Sequence, residues 1–285
     1  MIYKSAKEWK DARNKRVMLF AMSGLGKTYL SEMLRGSGNW FHYSVDYRIG
    51  TRYMGEHITD NFKKEAMRNP FLAELLRSDA IYIASNLRFN DLSPLATYLG
   101  KPGDPAKGGI PIDEYIRRQR LHRKAETNAM HDSAHFISRA QALYDYDHFV
   151  CDTSGSLVEV VDADDPNDPV MAAVSSHMLP VWIEGNDDHR QALIDRFNAA
   201  PKPMYYTEEF LLDCWAKYIE EKGVSEDKVD PDDFIRWGYA RLIDDRLPRY
   251  AAIAKRWGVT VSADEASRVS NERDFIALIA NALER

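Results

Sequence analysis

Cysteine is scarce in this sequence, long apolar runs are missing, and positive charge is not in excess. The 285 residues include two cysteines, Cys151 and Cys214, too few for a disulfide framework or, by themselves, for a four-ligand zinc site. No apolar run approaches the roughly 20 residues that span a bilayer. The first residues, MIYKSAKEWKDARNK, lack the apolar segment of a secretory signal. The sequence therefore predicts a cytoplasmic protein with reduced thiols and no membrane segment.

The net charge of the chain limits the classes of partner that it is expected to bind. Acidic residues outnumber basic ones by 44 to 38, which gives a net charge of −6. This balance disfavours broad, non-specific binding of nucleic acid, which needs a strongly cationic surface, but it leaves room for a local basic groove. Hydrophobic residues make up 45% and charged residues 29% of the chain, the proportions of a folded protein.

Apolar runs and turn signals alternate along the chain in a way that predicts an α/β fold. Short apolar runs predict strands at residues 16–21, 40–45, 80–84, 148–152, 179–183 and 259–261. Helical patterns occupy residues 29–36, 51–77 with a break at Asn69-Pro70, 111–129 with a shorter helix to 144, and about 271 onwards. Residues 86–109 are rich in proline and glycine and predict an irregular loop. This alternation indicates a three-layer sandwich with a mostly parallel sheet.

The strongest motif is the turn Ala21-Met-Ser-Gly-Leu-Gly-Lys-Thr28. An apolar strand enters it and a helix leaves it, as a phosphate-binding loop (P-loop) requires, although alanine stands where the strict pattern has its first glycine. Backbone N–H groups and the helix N-terminus would bind phosphate, Lys27 would reach the β- and γ-phosphates of ATP, and Thr28 would bind Mg²⁺. The alternative is an ordinary glycine-containing turn. The predicted nucleotide-binding residues are Ser23, Gly24, Leu25, Gly26, Lys27, Thr28 and Tyr29.

Two aspartates that follow predicted strands are candidates for the remaining roles. Asp152 ends the run HFVCD, and a P-loop enzyme needs a carboxylate at a second strand end for its Mg²⁺. Asp46 ends the second strand and would orient an acceptor hydroxyl and accept its proton. Arg48 and Arg52 are candidates for holding an anionic substrate. Each aspartate could instead be a turn residue, and Asp46 could be a helix cap.

These motifs resemble those of the P-loop kinases that act on nucleoside monophosphates, shikimate and gluconate. The segment Arg246-Leu-Pro-Arg-Tyr250 is similar to the one before the last strand of shikimate kinases, which implies a catalytic role for Arg246 at the acceptor and phosphate site. The resemblance covers roughly half the chain. It implies a single domain over residues 1–285, with a lid-like region at about 186–235 that includes Arg190 and Arg196.

The sequence also departs from that group. The segment at about 86–145 is far longer than the matching stretch of small kinases, which indicates a helical insertion. The glycine pair that grips shikimate is not recognisable, so we do not expect shikimate as the acceptor. The chain also resembles alphaproteobacterial and phage proteins described only as ATPases, which implies a bacterial cytoplasm, or a host cytoplasm if phage-encoded.

A basic helix within the predicted insertion could form an anion site. In DEYIRRQRLHRKAE, Arg120 and Arg123 share a helix face, with Arg117 one turn back. Such a stripe could clamp phosphates or follow a nucleic-acid backbone. The alternative is a solvated face balanced by neighbouring acids, among them Glu114 and Glu126.

The motifs together predict an enzyme that transfers the γ-phosphoryl group of ATP, with Mg²⁺, to a hydroxyl of a nucleoside, nucleotide or other small acceptor. A second possible acceptor is 5-hydroxymethyluracil in DNA, on which phage P-loop kinases act, so nucleic acid stays open as a substrate. A third alternative is an NTP-hydrolysing switch ATPase, disfavoured because no catalytic glutamate is visible beside Asp152. A non-catalytic nucleotide-binding module is disfavoured by the intact Lys27, Thr28 and Asp152. The oligomeric state is left open.

Overall fold

The computed structural model describes all 285 residues, Met1–Arg285, and contains one sheet of five parallel strands. The strands are β1 (Arg16–Phe20), β2 (Trp40–Ser44), β3 (His148–Asp152), β4 (Leu179–Glu184) and β5 (Val259–Ser262). They lie in the order β2-β3-β1-β4-β5, and each neighbouring pair is parallel. Strands β1, β3 and β4 are buried along nearly their whole length, which matches their continuous apolar sequences. The predicted α/β class is confirmed.

Thirteen α-helices accompany the sheet. They are α1 (Ala6–Asp11), α2 (Lys27–Gly36), α3 (Val45–Arg48), α4 (Gly55–Ala66), α5 (Pro70–Arg77), α6 (Ser93–Leu99), α7 (Ile112–Tyr144), α8 (Pro169–Ser175), α9 (Asp187–Ala199), α10 (Glu208–Lys222), α11 (Pro231–Trp257), α12 (Ala263–Ser267) and α13 (Glu272–Ala282). Helix α2 packs against β2 and β3, and α13 packs against β5. No helix is both long enough and apolar enough to cross a bilayer.

The chain divides into two compact units. The first consists of Met1–Val45, Glu126–Pro201 and Arg236–Arg285, and it contains all five strands. The second consists of Asp46–Ala125 and Lys202–Ile235. Helices α7 and α11 contribute residues to both units, as do the predicted insertion and lid-like region. The single-domain organisation over residues 1–285 stays a prediction.

One predicted strand, at residues 80–84, is wrong. The segment has no regular secondary structure, and Tyr82 within it is 88% exposed. It belongs to the second unit, where the only β-pairing consists of two isolated bridges, Arg88 with Asp91 and Pro102 with Ile110. An apolar run with high strand propensity becomes a strand only where a neighbouring strand accepts its backbone hydrogen bonds.

The helices follow the sequence patterns with two differences. The predicted break near residue 129 is wrong, because α7 runs without interruption over a segment that contains neither glycine nor proline. Residues 86–109 are less irregular than predicted, since they include α6 and the 3₁₀ turn Pro105–Lys107. The expected break in residues 51–77 is confirmed, because α4 ends at Ala66 and α5 begins at Pro70.

Candidate functional site

The turn between β1 and α2 has the backbone geometry of an anion-binding loop. Gly24 and Gly26 have φ values of +95° and +94°, a region that residues with a Cβ avoid. Helix α2 begins at Lys27, directly after Gly26. The Lys27 ammonium is buried against the loop and donates to the carbonyl oxygens of Ala21 at 3.0 Å and Met22 at 3.4 Å. Glycines, helix N-terminus and lysine therefore meet in one short segment.

The carboxylate of Asp152 lies at the start of α2, and its predicted role as a Mg²⁺ ligand stays a prediction. Parallel pairing of β1 with β3 aligns Asp152 with Leu19, one residue before the end of β1. The Thr28 hydroxyl donates to Asp152 Oδ2 at 2.8 Å. The other carboxylate oxygen, Oδ1, is buried and has no hydrogen-bond partner. Burying an unsatisfied carboxylate oxygen costs free energy, and a cation bound between Thr28 and Asp152 would supply the missing partner. Two hard oxygen donors of this kind fit Mg²⁺.

An arginine contacts the loop from α9. A Cβ atom built on Gly24 would lie 2.0 Å from Nη2 of Arg196, so this guanidinium lies directly against the loop. Arg196 is exposed and makes no ion pair with a carboxylate. Arg190, on the same helix, instead donates two hydrogen bonds to Asp244, at 2.9 and 2.8 Å. Of these two arginines, Arg196 is therefore the one available to an anion at the loop.

A cavity of about 290 Å³ opens beside the glycines of the loop. Its lining is mostly apolar, which suits a flat aromatic base rather than a second charged group. The lining residues are Gly24, Leu25, Gly26, Tyr29, Leu30, His189, Ala263, Ala266 and Ser267. The predicted binding residue Tyr29 is thus placed at a cavity next to the phosphate-binding geometry.

Arg246, to which the family resemblance gave a role at the acceptor site, is buried in the first unit, and that role stays a prediction. Its side chain is 2% exposed, and Nε donates to Glu159 Oε1 at 2.6 Å. Nη1 donates to the Gly155 carbonyl at 2.8 Å. Burial works against its charge, but Glu159 and other neighbours outweigh that effect, and the pKa of Arg246 is raised. Arg246 is a buried, ion-paired residue that binds backbone.

Known proteins show only distant similarity to this chain. No family model matches the sequence, and no curated protein matches it. Among solved structures, the chain is similar to a shikimate kinase from Bacteroides thetaiotaomicron, with a TM-score of 0.36 and 14% identity over 95% of each chain. At that distance the likeness assigns no substrate or activity.

The other predicted substrate residues lie in the second unit. Asp46 is in the first turn of α3, which ends at Arg48, and the Arg48 guanidinium carbon lies 5.7 Å from the ring centroid of Tyr53. Arg52 is exposed and belongs to the π-helical turn Ile49–Tyr53. Their roles stay predictions.

The predicted arginine stripe on α7 is largely neutralised. Arg120 donates twice to Glu208, at 2.7 and 2.5 Å, and Arg117 donates twice to Glu114, at 2.7 and 2.8 Å. Arg123 is exposed and has no ion pair. The solvated-face alternative therefore describes most of this stripe.

Two buried polar residues, Glu126 and His42, contact β3 or the segment that follows it, and the sequence did not indicate a role for either at the site. Glu126, expected on a solvated face, is fully buried and accepts a hydrogen bond from the Ser156 hydroxyl at 2.7 Å. The side chain of His42 is also fully buried, with Nε2 3.7 Å from Asp152 Oδ2. A signal for Glu126 existed, because it shares a helical spacing with the buried residues Ala129, Met130 and Ser133.

Proposed function

We propose that this protein is an ATP- and Mg²⁺-dependent kinase that transfers a phosphoryl group to a hydroxyl of a small acceptor. One observation carries the proposal: the Thr28 hydroxyl lies 2.8 Å from Asp152, directly after a loop whose two glycines have positive φ. Phosphoryl transfer requires mainly that phosphates be positioned and their charge stabilised. A backbone cradle, a lysine and a pair of metal-binding oxygens supply these functions.

Each residue of the site has a proposed role. Lys27 would leave the carbonyls of Ala21 and Met22 and bind the β- and γ-phosphate oxygens. Thr28 and Asp152 would hold Mg²⁺, which when bound neutralises charge that develops on the phosphates. Arg196 would donate to the transferring phosphoryl group, as its planar guanidinium suits phosphate oxygens.

Asp46 is our proposed base, because it lies two residues after the end of β2 and a carboxylate can accept the proton of an acceptor hydroxyl. We propose a nucleoside-like or other small polyol acceptor. The basic helix gives little support to a DNA acceptor, because Arg117 and Arg120 are already paired with acidic residues.

The decisive experiment is transfer of radiolabelled γ-phosphate from ATP. Nucleosides, small polyols and DNA that contains 5-hydroxymethyluracil would be supplied in parallel, with and without Mg²⁺. We expect label to appear on one small acceptor, and Lys27→Ala to lower the rate about 10²- to 10³-fold because it removes a main donor to the phosphates. Asp46→Asn should retain ATP binding and slow transfer.

The possible outcomes separate the alternatives. Equal release of free phosphate with and without every acceptor would favour a switch ATPase. Label on DNA alone would favour the base-modifying kinase. Absence of ATP binding by calorimetry would overturn the nucleotide site altogether.

A further inference from the structure

Two side chains of α11 converge on backbone oxygens at the phosphate loop. The Tyr250 hydroxyl is buried, donates to the Gly155 carbonyl at 2.5 Å and lies 3.3 Å from the Ala21 carbonyl. Nη1 of Arg246 donates to the same Gly155 carbonyl at 2.8 Å. One peptide oxygen is thus held by a phenol and a guanidinium, and the first residue of the loop lies within reach of the same phenol.

Gly155 also touches the loop directly. It lies three residues after Asp152, and a Cβ built on it would be 3.1 Å from the backbone nitrogen of Ser23. The segment that follows the proposed Mg²⁺ carboxylate therefore packs closely against the phosphate loop, and even a Cβ at this position would require Ser23 to shift slightly. Gly155 is therefore the point at which these two segments are in close contact.

An ion pair with a buried carboxylate holds the Arg246 side chain in place. Glu159 accepts from Arg246 at 2.6 Å and from Arg249 at 3.2 Å, and its side chain is fully buried. Replacing a buried ion pair of this kind by apolar residues is often neutral for stability, so stability alone does not account for it. An apolar pair, however, could not donate a hydrogen bond to the Gly155 carbonyl, as Arg246 does.

We propose that Tyr250 and Arg246 are positioning residues that hold the phosphate loop and the segment after Asp152 in the arrangement that binds nucleotide. This inference rests on the proposed function and changes the role of Arg246 from the acceptor site to the support of the loop. A tyrosine hydroxyl is protonated at neutral pH and can donate there, and burial raises the pKa of Tyr250 further.

The test is Tyr250→Phe, with Tyr3→Phe as its matched control. Tyr3 is also buried, and its hydroxyl donates to the Asn14 carbonyl at 3.1 Å and accepts from the Arg16 amide at 3.0 Å. Both hydroxyls bind backbone next to β1, Tyr3 at the strand's first residue and Tyr250 at the residue after its last. Each substitution removes only the oxygen, so both proteins should fold.

Three quantities would be measured: the urea midpoint, the affinity for MgATP by calorimetry, and hydrogen exchange of the amides of residues 22–26 and 154–156 without nucleotide. We expect both variants to lose a similar amount of stability. Only Tyr250→Phe should speed exchange in these two segments and weaken MgATP binding, by about fivefold for one lost hydrogen bond.

The outcomes distinguish this inference from the proposed function. Wild-type binding of MgATP, combined with unchanged exchange and affinity in Tyr250→Phe, would overturn the positioning role alone. A wild-type protein that binds no MgATP would overturn the proposed function and this inference with it. The positioning role would also be overturned if Tyr3→Phe showed the same faster exchange and weaker MgATP binding, because the effect would then be general destabilisation.

Discussion

The two units of the chain hold their charged residues in different ways. Around the loop of the first unit, Lys27, Asp152, Glu159 and Arg246 are all buried. Lys27 binds backbone, Asp152 accepts from the Thr28 hydroxyl, and Glu159 pairs with Arg246. In the second unit, charged pairs lie at the surface, as in Arg120 with Glu208, where the side chains are 67% and 38% exposed. The same residue types are therefore buried around the loop of the first unit and solvated in surface pairs such as Arg120 with Glu208.

This difference shows that the partners of an arginine side chain, rather than its occurrence in the sequence, indicate whether it can bind an anion. The basic run on α7 is conspicuous in the sequence, yet Arg117 and Arg120 are satisfied by nearby carboxylates. Arg196 has inconspicuous sequence neighbours, yet its guanidinium lies on Gly24 and is not paired with a carboxylate. Buried pairs and exposed pairs should also respond to mutation very differently.

The largest expected effect is the removal of a buried carboxylate. Glu159→Ala should lower the free energy of unfolding by about 3–5 kcal/mol, because the guanidinium of Arg246 stays buried without that carboxylate. Glu208→Ala removes the exposed partner of Arg120 and should cost less than about 1 kcal/mol. Urea unfolding followed by tryptophan fluorescence measures both. Equal losses of unfolding free energy in the two variants would show that the buried pair contributes no more to stability than the exposed pair.

The second prediction concerns the arginine at the loop. Arg196→Ala should lower the rate of phosphoryl transfer about a hundredfold, since it removes one charged donor from the transferring group. Arg190→Ala, on the same helix, should change the rate little because Asp244 already holds that side chain. Steady-state kinetics with saturating ATP would measure both rates. A similar decrease in the two variants would remove the assigned role of Arg196.

The smallest effect is a pH dependence in the second unit. Ion pairing with Arg117, and then with Arg118, lowers the pKa of Glu114 to about 2 from 4.5. A carboxylate with a lowered pKa contributes stability above its unfolded pKa of 4.5 and loses that contribution as pH falls towards 2. Glu114→Gln should therefore be less stable than wild type at pH 7, by under about 1 kcal/mol because the pair is partly exposed.

Urea midpoints between pH 7 and pH 2.5 would test this dependence. The difference between wild type and Glu114→Gln should shrink once the pH falls below 4.5. Glu209→Gln serves as the control, because Glu209 is exposed and has no ion pair. A difference that does not change with pH would contradict the assignment to this ion pair.

Much of the sheet could be predicted from the sequence, because β1, β3 and β4 are short apolar runs that are buried along nearly their whole length. Five of the six predicted strands form, and the break before Pro70 lies where proline chemistry places it. Residues 80–84 show the limit of that reasoning. Their propensity is that of a strand, but no neighbouring strand is present in their unit.

Part of the candidate site could also be predicted. The loop before Lys27 and the acid at the end of β3 are visible as local patterns, and the structure brings Thr28 into contact with Asp152. The surroundings were harder to predict. Glu126 was expected on a solvated face and is buried, because the packing of a 33-residue helix is not determined by its own charge pattern alone.

What the sequence by itself determined is the conformation of short segments, such as the turn between β1 and α2, because glycine dihedrals and helix starts depend on a few consecutive residues. The tertiary structure decided which distant groups meet. Strand order brought Asp152 to Thr28, and helix packing brought Arg196 to Gly24 and buried Arg246 against Glu159. Such encounters join residues more than 80 positions apart, and no local pattern encodes them.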